Sequence, residues 1–131
     1  MKKENLKLNK PVYVSMAVLE MSKWLMYQFH YDFVKVKWPD VQLLCTDTDL
    51  LMYKIKSADI YQEFYDNQEM FDLSDYQENS GFHCDDNKKV IGKFKDETIL
   101  VPVVEFIRLH SKIYCLKLAE NKVKKRAEKM W

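Results

Sequence analysis

Val41-Gln42-Leu43-Leu44-Cys45-Thr46-Asp47-Thr48-Asp49-Leu50-Leu51-Met52-Tyr53 holds two apolar runs separated by an acidic triplet, and its reading decides the fold. The runs read as strands, which places Asp47, Thr48 and Asp49 at the tip of a β-hairpin. A tip built for stability alone carries Asn-Gly or Asp-Gly, because the favoured two-residue turns need positive φ. Here two carboxylates flank a β-branched threonine instead. Two unit charges ~4 Å apart repel by roughly 1 kcal/mol in water and by ~4 kcal/mol at an effective dielectric near ~20. A divalent cation is the usual means of offsetting such a cost. In the second strand Leu51, Tyr53 and Ile55 alternate with Met52, Lys54 and Lys56, so one face is expected to pack and the other to meet solvent.

Upstream of the hairpin, Val14, Val18, Met21, Leu25, Phe29, Phe33 and Val36 recur at steps of three and four. This is one stripe of a long helix over residues 13–37. Lys10-Pro11 suits its start, since proline is tolerated in a first turn. Trp38-Pro39-Asp40 stops it, because the residue before proline is pushed out of the α region. The Trp24, Met26 and Tyr27 cluster reads as core packing.

Downstream, Ser57 is placed to cap a helix over residues 58–71 with its stripe at Ile60, Phe64 and Met70 or Phe71. Residues 72–87 are polar and aperiodic and read as a loop. Strands are expected over 89–94, 101–108 and 112–118, and a short basic helix over 121–130. The order α-β-β-α-β-β-β-α points to an α+β domain with an antiparallel sheet.

The chain has 131 residues, 8 tyrosines, 7 phenylalanines and only 2 glycines, which suits a single domain. Its net charge of +1 says nothing about a polyanionic partner, but the distribution does. From Ser57 to Asn87 every charged side chain is acidic, while lysine dominates from Lys88 to Lys122-Val123-Lys124-Lys125-Arg126. Such asymmetry fits a polyanion meeting one face. Cys45, Cys84 and Cys115 are odd in number and widely spaced, which argues for a reducing compartment and no disulfide. The polar start at residues 1–10 lacks a signal peptide's apolar core, and no apolar run approaches the ~20 residues that span a bilayer. A soluble intracellular protein, or a piece of one, is the expectation.

Cys45-Thr46-Asp47-Thr48-Asp49-Leu50 resembles the carboxylate motif Tyr-x-Asp-Thr-Asp-Ser in the palm of family B DNA polymerases. Asn9-Lys10-Pro11-Val12-Tyr13, leading into a long helix and then this hairpin, follows that family's order. Ile91-Gly92-Lys93-Phe94-Lys95-Asp96-Glu97 comes next, and Val104 to Tyr114 ends in Lys112-Ile113-Tyr114, which looks like the family's Lys-x-Tyr motif. The protein-primed branch of phages, adenoviruses, linear plasmids and self-synthesising transposons is the best match, over residues 9–118.

The resemblance implies a palm-like fold, with a long helix packed on an antiparallel sheet that contains the acidic-tipped hairpin. It implies that residues 1–131 form a single partial palm domain reaching the start of the thumb. The family's exonuclease, upstream palm aspartate and fingers lysine are absent. It implies nucleotidyl transfer in DNA replication with Mg²⁺, for which Asp49 would be the direct ligand and Asp47 a closer or outer-shell helper. Lys112 and Tyr114 would hold the primer strand near its 3′ end. Partners would be template–primer DNA, dNTP and a separate N-terminal polymerase piece, with no membrane, and the setting a nucleus or viral replication site.

Lys93 and Lys95 share one strand face and read either as contacts to the template–primer backbone or as a solvated face. The C-terminal lysines read as a soluble helix end or an import signal. His83-Cys84-Asp85-Asp86 lacks a second Cys/His pair at zinc spacing and reads as loop. His30 reads as a helix-face residue, His110 as a strand or turn residue, and Cys45 as a small buried hydrophobe.

Leu50 stands in place of the motif's serine, Cys45 in place of its tyrosine, and His110 where related sequences often carry arginine. With half of the carboxylate pair missing, the chain is not expected to polymerise alone. Two other readings remain: a non-catalytic DNA-binding remnant of a mobile or viral element, and an unrelated α+β protein whose acidic hairpin is only a turn.

Overall fold

A computed structural model describes residues 11–110, 113–120 and 122–127. The chain is mixed α+β and divides into two compact units, Met1–Lys56 and Ser57–Trp131.

In the first unit, α1 (Val12–Gln28) runs into a π-helical turn (Phe29–Val34) and a last α-helical turn, α2 (Lys35–Lys37). The helix stops where proline requires it: Trp38 has left the α region, with φ −125° and ψ 84°. The expected inward stripe is corrected at both ends. No residue of α1 is buried, and Trp24 and Tyr27 are exposed rather than core. Beyond it, Phe29, His30, Val34 and Trp38 are buried, while Val36 is 72% exposed. The π-turn explains the second difference. Its i→i+5 hydrogen bonds insert one residue, which moves the inward position from Phe33 to Val34.

The hairpin forms as expected from β1 (Gln42–Asp47) and β2 (Leu50–Lys54), paired antiparallel as a two-stranded sheet of their own. The register slips between Leu43 and Cys45, so Leu44 is a bulge residue, and buried Cys45 faces Met52. Helix and hairpin are joined by His30 and Tyr53. Their rings stack 5.7 Å apart and Nδ1 of His30 shares a 2.9 Å hydrogen bond with the Tyr53 hydroxyl. Burial, and then the nearby Lys35 charge, lower the His30 pKa, and burial raises that of Tyr53. Both are therefore neutral at pH 7.

In the second unit, α3 (Ile60–Asp66) is shorter than expected. Its cap is Asp59, which accepts from the Tyr61 and Gln62 amides, while Ser57 donates to the Glu63 carboxylate. The stretch 72–87 is irregular as expected, yet it begins with the buried residues Asp72, Leu73 and Tyr76. β3 (Phe71–Asp72) pairs parallel with β4 (Phe94–Lys95), all that remains of the strand expected over 89–94.

β5 (Val103–His110), β6 (Ile113–Leu118) and β7 (Val123–Ala127) make an antiparallel sheet, with Leu116 and Leu118 in the core. The described part of the expected C-terminal helix is thus a strand. Lysine, arginine and alanine favour helix, but propensity is a weak preference, and pairing with β6 overrides it.

Candidate functional site

At the hairpin tip Asp47 pairs with Leu50, leaving Thr48 and Asp49 as a two-residue turn. Thr48 sits at φ 30°, a left-handed region that a β-branched residue rarely enters. Such strain is on the order of ~1–3 kcal/mol and collects at functional turns. Asp47 is half-buried and accepts a 3.4 Å hydrogen bond from the Thr48 hydroxyl. Asp49 is exposed and meets no donor among the described residues. Leu50, which follows the turn, is half-buried.

Two carboxylates on one turn match what Mg²⁺ takes from a protein when phosphates and water supply the remaining oxygens. They do not form a metal cage by themselves. Among the described residues no three His, Cys, Asp or Glu side chains gather to hold a metal ion.

Tyr114 lies in the second unit, and its register shows what sequence reading missed. It stands opposite Arg108 on β5 and opposite Arg126 on β7. Opposed residues share a sheet face, so Arg108 and Tyr114 stand side by side on one face of the sheet. The same face runs from buried Leu118 and Leu116 to half-buried Phe106 and Tyr114, whose rings lie 6.1 Å apart, and then to exposed Arg108. An arginine next to an aromatic residue on one sheet face is a combination that suits a nucleic-acid strand, the cation for phosphate and the ring for a base. Pairing of the two strands about residue 111 made Arg108 findable. Lys112 lies outside the described residues.

Lys93 and Lys95 are engaged within the second unit. Lys93 donates to the Glu69 carbonyl. Lys95 pairs with Asp75 at 2.8 Å and with buried Asp72 at 3.6 Å. Asp72 also accepts from the Ser74 amide, the Ser74 hydroxyl and the Lys89 amide, at 3.0, 2.6 and 3.2 Å. Burial would push its carboxyl up, but these hydrogen bonds, with Lys95 nearby, outweigh that and bring it down to about 2. The acidic run from Ser57 to Asn87 is thus partly spent on holding loops. His83 is likewise engaged, its Nδ1 donating to the Tyr76 carbonyl at 2.8 Å with the Asp85 carboxylate 3.3 Å from Nε2.

The hairpin acids belong to one unit and the Arg108–Tyr114 pair to the other. Cys45, Cys84 and Cys115 are free, and no helix among the described residues is long and apolar enough to cross a membrane. Comparison with protein-family models, curated proteins and solved structures finds no match to this chain.

Proposed function

We propose that the chain is a palm piece of a DNA-directed DNA polymerase of the protein-primed family B type. The observation that carries this reading is the strained turn that presents Asp49 to solvent beside Asp47. Asp49 and Asp47 would hold Mg²⁺, which when bound neutralises charge on phosphoryl groups during nucleotidyl transfer. Tyr114 and Arg108 would hold the primer strand, with Lys112 as a further point charge. A separate N-terminal polymerase piece supplying the upstream aspartate and the fingers belongs to the same proposal.

A second reading, a DNA-binding remnant without catalysis, is favoured by Leu50 and by an Arg108–Tyr114 pair that needs no metal. Anisotropy of labelled primer–template DNA separates the two. Both readings predict salt-dependent binding that Tyr114→Ala weakens about 10-fold, the effect of losing one stacked base. Only the polymerase reading predicts that Mg²⁺ tightens binding and that Asp49→Ala removes the tightening. Neither predicts primer extension by the chain alone. Metal-dependent extension abolished by Asp49→Ala would show that the chain is a whole polymerase rather than a piece.

A further inference from the structure

α1 is apolar almost all the way round. Its 17 residues include two charges, Glu20 and Lys23, joined in an ion pair of 2.8 Å. Tyr13, Met16, Met21, Trp24 and Tyr27 are between 63% and 78% exposed. A helix with apolar residues on all sides is normally a buried element. We infer that a second copy of this chain covers it, as an antiparallel two-fold helix pair along α1.

The charges choose this occupant. A two-fold interface must be self-complementary, each contact occurring twice with the roles exchanged. An axis passing midway between residues 21 and 22 sets Glu20 of one copy against Lys23 of the other, and the reverse. The same axis sets Met16 against Tyr27, a sulfur–aromatic contact, and Leu19 against Trp24. Each of these side chains is exposed in the single chain. A parallel pair would instead oppose Glu20 to Glu20 and Lys23 to Lys23. A membrane surface is a poorer occupant, because interfacial helices carry a basic polar face and α1 has one lysine already paired. The inference goes beyond the polymerase reading, in which α1 would instead pack on the chain's own sheet and the parent chain would be monomeric.

Sedimentation equilibrium of the full chain over a concentration series gives the first reading, with mass rising from 15.8 kDa toward twice that value. Two variants give the second. Glu20→Lys leaves α1 with cations only, and Lys23→Glu leaves it with anions only. Each variant alone is expected to be monomeric, its fold checked by circular dichroism, while an equimolar mixture dimerises and high salt weakens it. The mixture excludes a merely intrahelical role, because the ion pair within each helix is broken in both variants. A monomeric parent chain, or a mixture no heavier than its separate components, would overturn the inference.

Discussion

Asp49 stands on an exposed two-residue turn and meets no donor among the described residues, whereas Asp72 and Asp96 in the second unit are enclosed by donors. Asp96 accepts from the Tyr76 hydroxyl, the Thr98 amide and hydroxyl, and the Leu100 amide. Both enclosed acids stand two residues before a hydroxyl, in Asp72-Leu73-Ser74 and Asp96-Glu97-Thr98. That spacing lets the carboxylate close on its own backbone. Both also steady left-handed backbone, at Lys89 (φ 58°) for Asp72 and at Leu100 (φ 63°) for Asp96. At the hairpin tip the strained Thr48 donates a long 3.4 Å hydroxyl contact to Asp47. Acids that hold a fold consume their lone pairs locally, whereas Asp49 keeps its carboxylate outward.

Replacing an enclosed acid should have the largest effect. Asp72→Ala leaves the Ser74 and Lys89 amides without their acceptor, and hydrogen bonds to charged groups are worth ~1.5–3 kcal/mol each. A loss of about 3 kcal/mol in the second unit is expected by urea unfolding, against less than about 0.5 kcal/mol in the first unit for Asp49→Ala. Equal losses at the two sites would erase the distinction.

Acid separates the same regions by pH. The Asp72 carboxyl lies at about 2 in the folded chain, below its ordinary 3.8, so its stabilisation is complete above 3.8 and drains as pH falls toward 2. His30 also has a depressed folded pKa, and its contribution is complete above 6.5 and is lost as pH falls below that. The first unit should therefore loosen at a higher pH than the second. Ring resonances of Tyr53 in the first unit and of buried Tyr76 in the second, followed by NMR, check this, and His30→Gln should abolish the first step while leaving the second.

A smaller effect of opposite sign is expected at the tip. Thr48→Gly relieves left-handed strain of ~1–2 kcal/mol but adds entropy to the unfolded chain, for a net gain of about 1 kcal/mol in the first unit. Destabilisation by this change would mean that the turn is held by something other than tolerance of strain.

The helix, its stop at Trp38 and the hairpin were legible because they rest on periodicity and on proline and turn chemistry. The inward face of the helix was not, since the π-turn that moves burial from Phe33 to Val34 has no signature in spacing. The extra residues Leu44, Val104 and Leu109 mark register slips that alternation alone does not reveal, and Val104 and Leu109 are 60% and 82% exposed as a result. The hairpin acids and Tyr114 were singled out by motif, while the strand over 123–127 was missed because pairing with β6 overrode a helical composition. Lys93 and Lys95 shared a face on paper, but their carbonyl and carboxylate partners come from residues 69, 72 and 75, which no local pattern could supply.

Mn²⁺ in place of Mg²⁺, added to isotope-labelled chain bound to primer–template DNA, tests the hairpin directly by paramagnetic broadening of backbone amides. Broadening is predicted at residues 46–50 and should vanish in Asp49→Ala, while the loops around Asp72 and Asp96 stay sharp. Sharp signals throughout 46–50, or broadening centred on Asp72, would contradict the assignment of the strained turn as the metal site.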